Sequence, residues 1–358
     1  MRCLTKKRHG LTIECPAMKR IMLILLALGL QGAVAAQAQP AAPSPFADND
    51  HPALPQDDYI PDEPAAETDT AEDAPETPTE EGADIAYGAF QRGYYLTALE
   101  FALPRAKLGD PAAQTLVAEI YSRGLGVPKD PDEAAFWYSA AAKSGDPAAQ
   151  LKYALMLLEG TQVEKDRDRA RELMKKAADA GNSSAQFNYG QLLITDQPGS
   201  EGIKAALPYM LASAEAGIAD AQFALAQIRA YGIGNTEPDL DEARKWMIRA
   251  ARSGYDTAQL DIAVWLIDGI GGDINFDAGF GWMRRAANSG NIMAQNRIAH
   301  LYINAIGTRP DPIEAAKWYI LSRRAGLEDA SLEDFFQGLT AEEQKAGIEA
   351  ANNFRSRF

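Results

Sequence analysis

Residues 113–145 read AQTLVAEIYSRGLGVPKDPDEAAFWYSAAAKSG. The stretch holds two helix-spaced patterns, a turn between them and a closing glycine, and the chain repeats it. Its Ala113-Gln114 pair recurs at Ala149-Gln150, Ala185-Gln186, Ala221-Gln222, Ala258-Gln259 and Ala294-Gln295. The closing glycine recurs at Gly109, Gly145, Gly181, Gly217, Gly254, Gly290 and Gly326, in steps of 36, 36, 36, 37, 36 and 36. A period of this kind marks a helical array in which each hairpin covers the apolar face of the next. The expected fold is all-α: a solenoid of helix-turn-helix repeats with a period of about 36 residues.

Each copy reads as helix A, turn, helix B. In the first full copy Ala113, Val117, Ile120, Tyr121 and Gly124 share one face of helix A at helical spacing. Helix B opens with Asp130-Pro131, an N-cap oxygen followed by a proline whose missing N–H costs nothing in the first turn, and Asp311-Pro312 repeats the device. The closing glycine suits the left-handed residue that ends a helix. Eight residues before it lie Phe101, Trp137, Leu173, Tyr209, Trp246, Trp282 and Trp318, followed in six copies by Tyr138, Met174, Met210, Met247, Met283 and Tyr319. Large side chains spread one per repeat form a continuous inter-helix core, whereas a ligand cage would gather them in one place. The Ala-Gln glutamines are expected to hydrogen-bond between repeats.

The pattern Ala-x3-apolar-Gly/Ala-x2-Tyr/Leu-x2-Gly, then Ala-x2-Trp-Tyr/Met-x2-Ala-Ala-x2-Gly, resembles the Sel-1-like repeat family of the tetratricopeptide superfamily, over about residues 86–330. The resemblance implies a right-handed α/α solenoid whose A helices line the inner side. Some copies depart from the pattern. The fourth has Asp196 at the mid-repeat glycine and Pro208 near its helix B, the seventh has Ala305, and the fifth has Arg229 and one extra turn residue. These are expected to weaken packing locally. Cysteine-rich members of the family are linked to penicillin binding. That scaffold is missing here, because Cys3 and Cys15 are the only cysteines.

The segments outside the repeats differ in composition. Met18-Lys19-Arg20 precedes the apolar run Ile21–Leu30, and small residues follow through Ala38. This is an export signal, too short to span a bilayer. Translation is expected to start at Met18, and the expected address is the periplasm, with secretion as the alternative. Residues 39–84 carry 14 acidic residues and no Lys or Arg. Such a segment buries too little apolar surface to fold and reads as a disordered spacer or a docking segment. The formal charge is −15, with residues 85–358 contributing −6, so no basic stripe for nucleic acid is present. Residues 85–109 read as an N-terminal capping unit whose turn spans Gly93 to Thr97 and whose second helix Pro104 should kink or split. Residues 110–326 hold six repeats, and residues 327–358 form C-terminal capping helices, the last opened by the capping box Thr340-x-x-Glu343.

No catalytic, cofactor or metal signature appears. After residue 38 the histidines are His51 and His300, too few for a zinc site. His300 reads as a partly exposed surface residue. Gly269-Ile270-Gly271-Gly272 is a repeat turn, since no strand precedes it and no Gly-Lys-Ser/Thr follows. What remains is surface. Positions three, seven and ten of helix A form columns: Leu151, Leu155 and Leu158; Phe187, Gln191 and Ile194; Phe223, Gln227 and Ala230; Leu260, Val264 and Ile267; Asn296, His300 and Ile303. They are either core against helix B or an apolar groove for a partner's helix or extended peptide. The candidate groove residues are Leu151, Leu155, Leu158, Phe187, Gln191, Phe223, Gln227, Leu260, Val264, Ile267 and His300. The expected function is that of a non-enzymatic periplasmic scaffold binding a protein or peptide, in envelope assembly, secretion or signalling. A cell-wall glycan or β-lactam binding or hydrolysing protein, and an inhibitor of a membrane sensor, are the alternatives.

Overall fold

The computed structural model describes residues 85–234 and 237–355. The expected export signal, both cysteines, His51 and the acidic segment lie outside the described residues. The described residues contain sixteen helices and no strand. The opening unit is α1 (Ile85–Gln91) and α2 (Tyr95–Lys107). Six hairpins follow: α3 (Pro111–Arg123) with α4 (Pro131–Lys143), α5 (Pro147–Glu159) with α6 (Arg167–Asp179), and α7 (Ser183–Asp196) with α8 (Ser200–Glu215). They continue with α9 (Ala219–Tyr231) and α10 (Leu240–Arg252), α11 (Asp256–Asp268) and α12 (Phe276–Asn288), and α13 (Ile292–Ile303) and α14 (Pro312–Arg324). The chain closes with α15 (Ala330–Gly338) and α16 (Ala341–Asn353). Each helix packs chiefly on its neighbours in sequence, as a one-dimensional array requires, and α16 packs on α14.

Short polar side chains start most of the helices; α2, α8, α9 and α11 have no side-chain cap. Asp130 and Asp311 cap α4 and α14 as expected, and Asp166, Asp239 and Asn275 do the same for α6, α10 and α12. Asp110, Asp146, Asn182 and Asn291, each next to a closing glycine, cap the A helices α3, α5, α7 and α13. Every closing glycine has a positive φ, between 85° and 93°. Thr340 and Glu343 form the capping box of α16. The opening unit differs from expectation in two places: its second helix is not split, and its turn is shorter. α2 runs unbroken through Pro104, which lies so late in the helix that one backbone bond is lost, from the exposed residue Glu100. Its turn is also tighter than expected, with Tyr95 already helical and the Tyr94 N–H reaching the Ala89 carbonyl at 2.9 Å.

The core is a ladder of large side chains in small-residue sockets. Tyr138, Met174, Met210, Met247, Met283 and Tyr319 are almost wholly buried on the B helices. The A helices supply Ala118, Ala154, Gly190, Ala226, Ala263 and Ala299, all buried. A Cβ built on Gly190 would lie 2.9 Å from Met210 Cε, so this copy has no spare room. In the tryptophan column Trp137, Leu173, Trp246 and Trp318 are buried, and Tyr209 and Trp282 are half-buried. Phe101 departs from the column and stays 47% exposed, since among the described residues no repeat precedes this unit to cover it. The covered Tyr209 shows what is missing: its hydroxyl donates to Asp179 of the preceding repeat at 2.9 Å.

The repeated glutamine joins one repeat to the next. Nε2 of Gln114, Gln150, Gln186, Gln222, Gln259 and Gln295 donates to the carbonyl eight residues earlier, at 3.0–3.3 Å. Each carbonyl belongs to the last turn of the preceding helix B and also accepts the N–H of the closing glycine at 3.0–3.2 Å, so the glutamine takes its second lone pair. Gln344 repeats the bond to Phe336 at 2.9 Å in the C-terminal unit, outside the Ala-Gln register.

The irregular copies have local solutions. Where other copies have the mid-repeat glycine, Asp196 accepts from Arg167 and Arg171 of the preceding helix B at 2.5 Å each. The departure thus adds an inter-repeat ion pair. α8 compensates by starting early and running 16 residues. The approach is so close at Gly202 that a Cβ there would lie 2.0 Å from the Gln197 carbonyl oxygen. The Gly269–Gly272 stretch is a repeat turn, and a Cβ on Gly271 would meet the Leu240 carbonyl at 2.2 Å. Ala305 keeps the left-handed conformation at φ 54° without being glycine. Left-handed backbone costs an L residue about 1–2 kcal/mol, offset in part by the greater freedom glycine has when unfolded. Ala305→Gly is therefore expected to stabilise the protein by about 0.5–1 kcal/mol. A urea midpoint that stays put or falls would contradict this.

Candidate functional site

The eleven candidate groove residues fall into two groups. Leu151, Phe187 and Phe223, the third-position residues on α5, α7 and α9, are buried. Leu155, Leu158, Gln191, Gln227, Leu260, Val264, Ile267 and His300 are half-buried. Leu155 and Leu158 rest on one core cluster, and Leu260, Val264 and Ile267 on another. The third position is thus mostly core, while the seventh and, apart from the buried Ile194, the tenth leave part of each side chain open. This follows from helix A, which must pack against its own B helix and the preceding one, so only a narrow strip stays uncovered.

His300 is held at the C-terminal end of that strip. Its Nε2 lies 2.8 Å from Asp329, which also accepts from Asn296 Nδ2 at 3.1 Å and caps α15. Burial opposes ionisation of Asp329. The hydrogen bonds from His300, Asn296, the Leu332 N–H and Ser331 outweigh it and hold the carboxyl well below the usual range. Asp329 is a partner that His300 alone could not announce, since it comes from the start of α15, two helices on.

Three further residues belong to the helix-A side and were not among the candidates. Burial pushes the Asp261 carboxyl of α11 up to about 6, against the pull of Arg297 on α13. Burial also raises Asp220 on α9, against a hydrogen bond from its own N–H. Tyr255 is pushed up to about 12 by burial and by the charges of Asp220 and Asp261, and its ring stacks on Phe223 at 4.6 Å and 26°. Two desolvated carboxylates and a stacked aromatic pair therefore lie together across the fifth and sixth copies. The sequence signal is one register column: Leu116, Lys152, Asn188, Ala224, Asp261 and Arg297 occupy the position after the third, and only one is acidic.

Among the described residues, no three His, Cys, Asp or Glu side chains gather as a metal ion would need, and no helix is long and apolar enough to cross a membrane. An open depression of about 700 Å³ lined by Arg229, Glu237, Pro238, Asp239, Leu240 and Asp241 shares none of the candidate residues. Arg229 there pairs with Glu242 at 3.1 Å.

Comparison with known proteins agrees with this architecture. A family model described as Sel1 repeat matches residues 111–146, 147–182, 219–255, 257–291 and 292–327. It passes over 183–218, the copy with Asp196, Gly202 and Pro208. Among solved structures, a Sel1 repeat protein from Oxalobacter formigenes is 28% identical, with a TM-score of 0.59, and the match covers 67% of this chain and 98% of that one. The uropathogenic Escherichia coli protein c5321, titled a protective antigen with an SLR fold, is 25% identical, with a TM-score of 0.49 and coverage of 73% and 64%. No curated protein matches the sequence.

Proposed function

The chain belongs to the Sel1 repeat family, and from that premise we propose that it is a non-enzymatic scaffold that holds a protein or peptide along the exposed strip of its A helices. The observation that carries this reading is the strip itself. Leu155, Leu158, Val264 and Ile267 stay half-open on the face of the A helices. An apolar strip at helical spacing suits a partner's helix or extended segment. Asp220 and Asp261 refine the partner's chemistry. A lysine or arginine set against them would restore an ionised carboxylate that the protein alone desolvates without an ion pair. The export signal read in residues 18–38 supports a periplasmic address, with roles in envelope assembly, secretion or signalling.

The test is affinity capture after crosslinking in the periplasm. The Leu155→Glu, Val264→Glu double variant is expected to lose partner recovery by about tenfold or more, because each buried charge costs over 1 kcal/mol at an apolar contact. Circular dichroism must show unchanged helicity. Equal recovery by the helical variant would overturn the reading.

A further inference from the structure

Four tryptophans hold one register position on the B helices, and three of them are satisfied within the chain. Nε1 of Trp137, Trp246 and Trp318 donates to Glu133, Glu242 and Glu314, the third residue of the same helix, at 3.0–3.3 Å. In α12 the third residue is Ala278. Trp282 Nε1 therefore has no acceptor among the described residues, and Trp282 alone of the four is half-buried rather than buried. Two guanidinium groups flank it. Arg285 lies 5.7 Å over the ring. Arg252 stands two residues before the closing glycine of the preceding repeat, the place from which Asp179 reaches the register-equivalent Tyr209 at 2.9 Å. Both arginines are exposed, and neither pairs with a carboxylate among the described residues. The last turn of a helix suits arginine by itself. An unpaired indole N–H between two such arginines adds a directed donor, and all three groups call for an anion.

We propose that this face of α12 docks an acidic segment of a partner protein, whose glutamate or aspartate gives Trp282 the carboxylate that Glu133, Glu242 and Glu314 give their own tryptophans. The chain itself supplies the template. The fifth copy sets Glu242, Trp246 and Arg249 together, with the guanidinium 4.7 Å over the ring. The sixth copy keeps the tryptophan and the arginine and leaves the acid to come from outside. A carboxylate there accepts from Trp282 Nε1 and from Arg285 or Arg252, and such charge-assisted bonds are about twice as strong as neutral ones. Tryptophan and arginine are also the side chains that most often dominate a protein interface. Charge complementarity favours the same partner: α12 carries Arg284 and Arg285 against Asp277, a positive element in a chain of net charge −15. The site lies on helix B, apart from the A-helix strip, and adds a second contact to it. Lys245 stands two turns back from Arg252 along α10, about 10 Å away and outside the site.

The experiment follows the indole N–H signals of the five tryptophans by NMR while the isotope-labelled full chain is titrated with a glutamate hexapeptide. Trp282→Phe identifies the Trp282 signal by its loss. That signal is expected to shift with the peptide, while those of Trp137, Trp246 and Trp318 stay in place. Ala278→Glu sets the carboxylate within the chain, as three other copies do. It should move the Trp282 signal before any peptide is added and weaken the peptide's effect about tenfold or more. Arg285→Gln, a change at an exposed position, should weaken that effect about tenfold. A Trp282 signal that ignores the peptide at millimolar concentration, or that responds equally in both variants, would overturn the proposal. So would an equal response to inorganic phosphate or to phosphatidylglycerol vesicles, which would assign the arginines to any anion or to a lipid surface.

Discussion

Replacing Trp246 with alanine is expected to lower the stability of the array by about 3–5 kcal/mol, the usual cost of deleting a buried aromatic. The ring is buried on α10, its Nε1 donates to Glu242 at 3.3 Å, and the Arg249 guanidinium lies 4.7 Å over its face. An indole buries about 150–250 Å², or about 4–6 kcal/mol gross at about 25 cal/mol/Å². The same support recurs where the sequence allows it: Trp137 donates to Glu133 at 3.0 Å and Trp318 to Glu314 at 3.1 Å. Trp282 has Ala278 at that position and is the half-buried member of the set. Because each repeat packs only on its neighbours, the loss falls at one junction. Urea unfolding should show a lower midpoint and can split into two transitions as the halves uncouple. An unchanged midpoint would remove Trp246 from the core.

Asp261→Asn is expected to act in the opposite direction. Burial raises the folded-state pKa of this carboxyl to about 6, above the model-peptide range near 3.9. A raised carboxyl favours the fold when protonated. Its contribution is fully present below about pH 3.9 and is lost as pH rises through about 6, so the ionised form carries the penalty at neutral pH. About two units correspond to about 3 kcal/mol, and asparagine keeps an unpaired polar group, so a gain of about 1–2 kcal/mol at pH 7.5 is expected. The gap between variant and parent should close by pH 4.5. A gap that is absent at pH 7.5, or constant with pH, would show that Asp261 is solvated or paired. The same substitution should weaken a basic partner, the exchange of stability for function found at sites that desolvate a charge.

The repeat could be read from the sequence because most copies satisfy the same local demands. A capping Asp or Asn, a small residue opposite Tyr or Met and a left-handed glycine recur at fixed offsets, and their physics is local. Interactions between copies were legible only where they too were periodic, as with the glutamine ladder from Gln114 to Gln295. Asp196 looked like a defect because its partners Arg167 and Arg171 lie on another repeat, and only the fold sets them 2.5 Å away. Phe187 and Phe223 stood in the third-position column and Gln191 and Gln227 in the seventh, and periodicity alone could not say which column is core and which is rim. Asp261 drew no notice because its burial is produced by neighbouring repeats, not by its own helix.

The central claim, that the A-helix strip holds a partner, is tested most directly by photocrosslinking in cells that express the protein. A photoreactive benzoylphenylalanine is placed at Gln227 or Val264 on the strip, and at Lys245 on an exposed position of helix B. The account predicts one discrete adduct from Gln227 and from Val264 and none from Lys245. Adducts from Lys245 with none from the strip would contradict it.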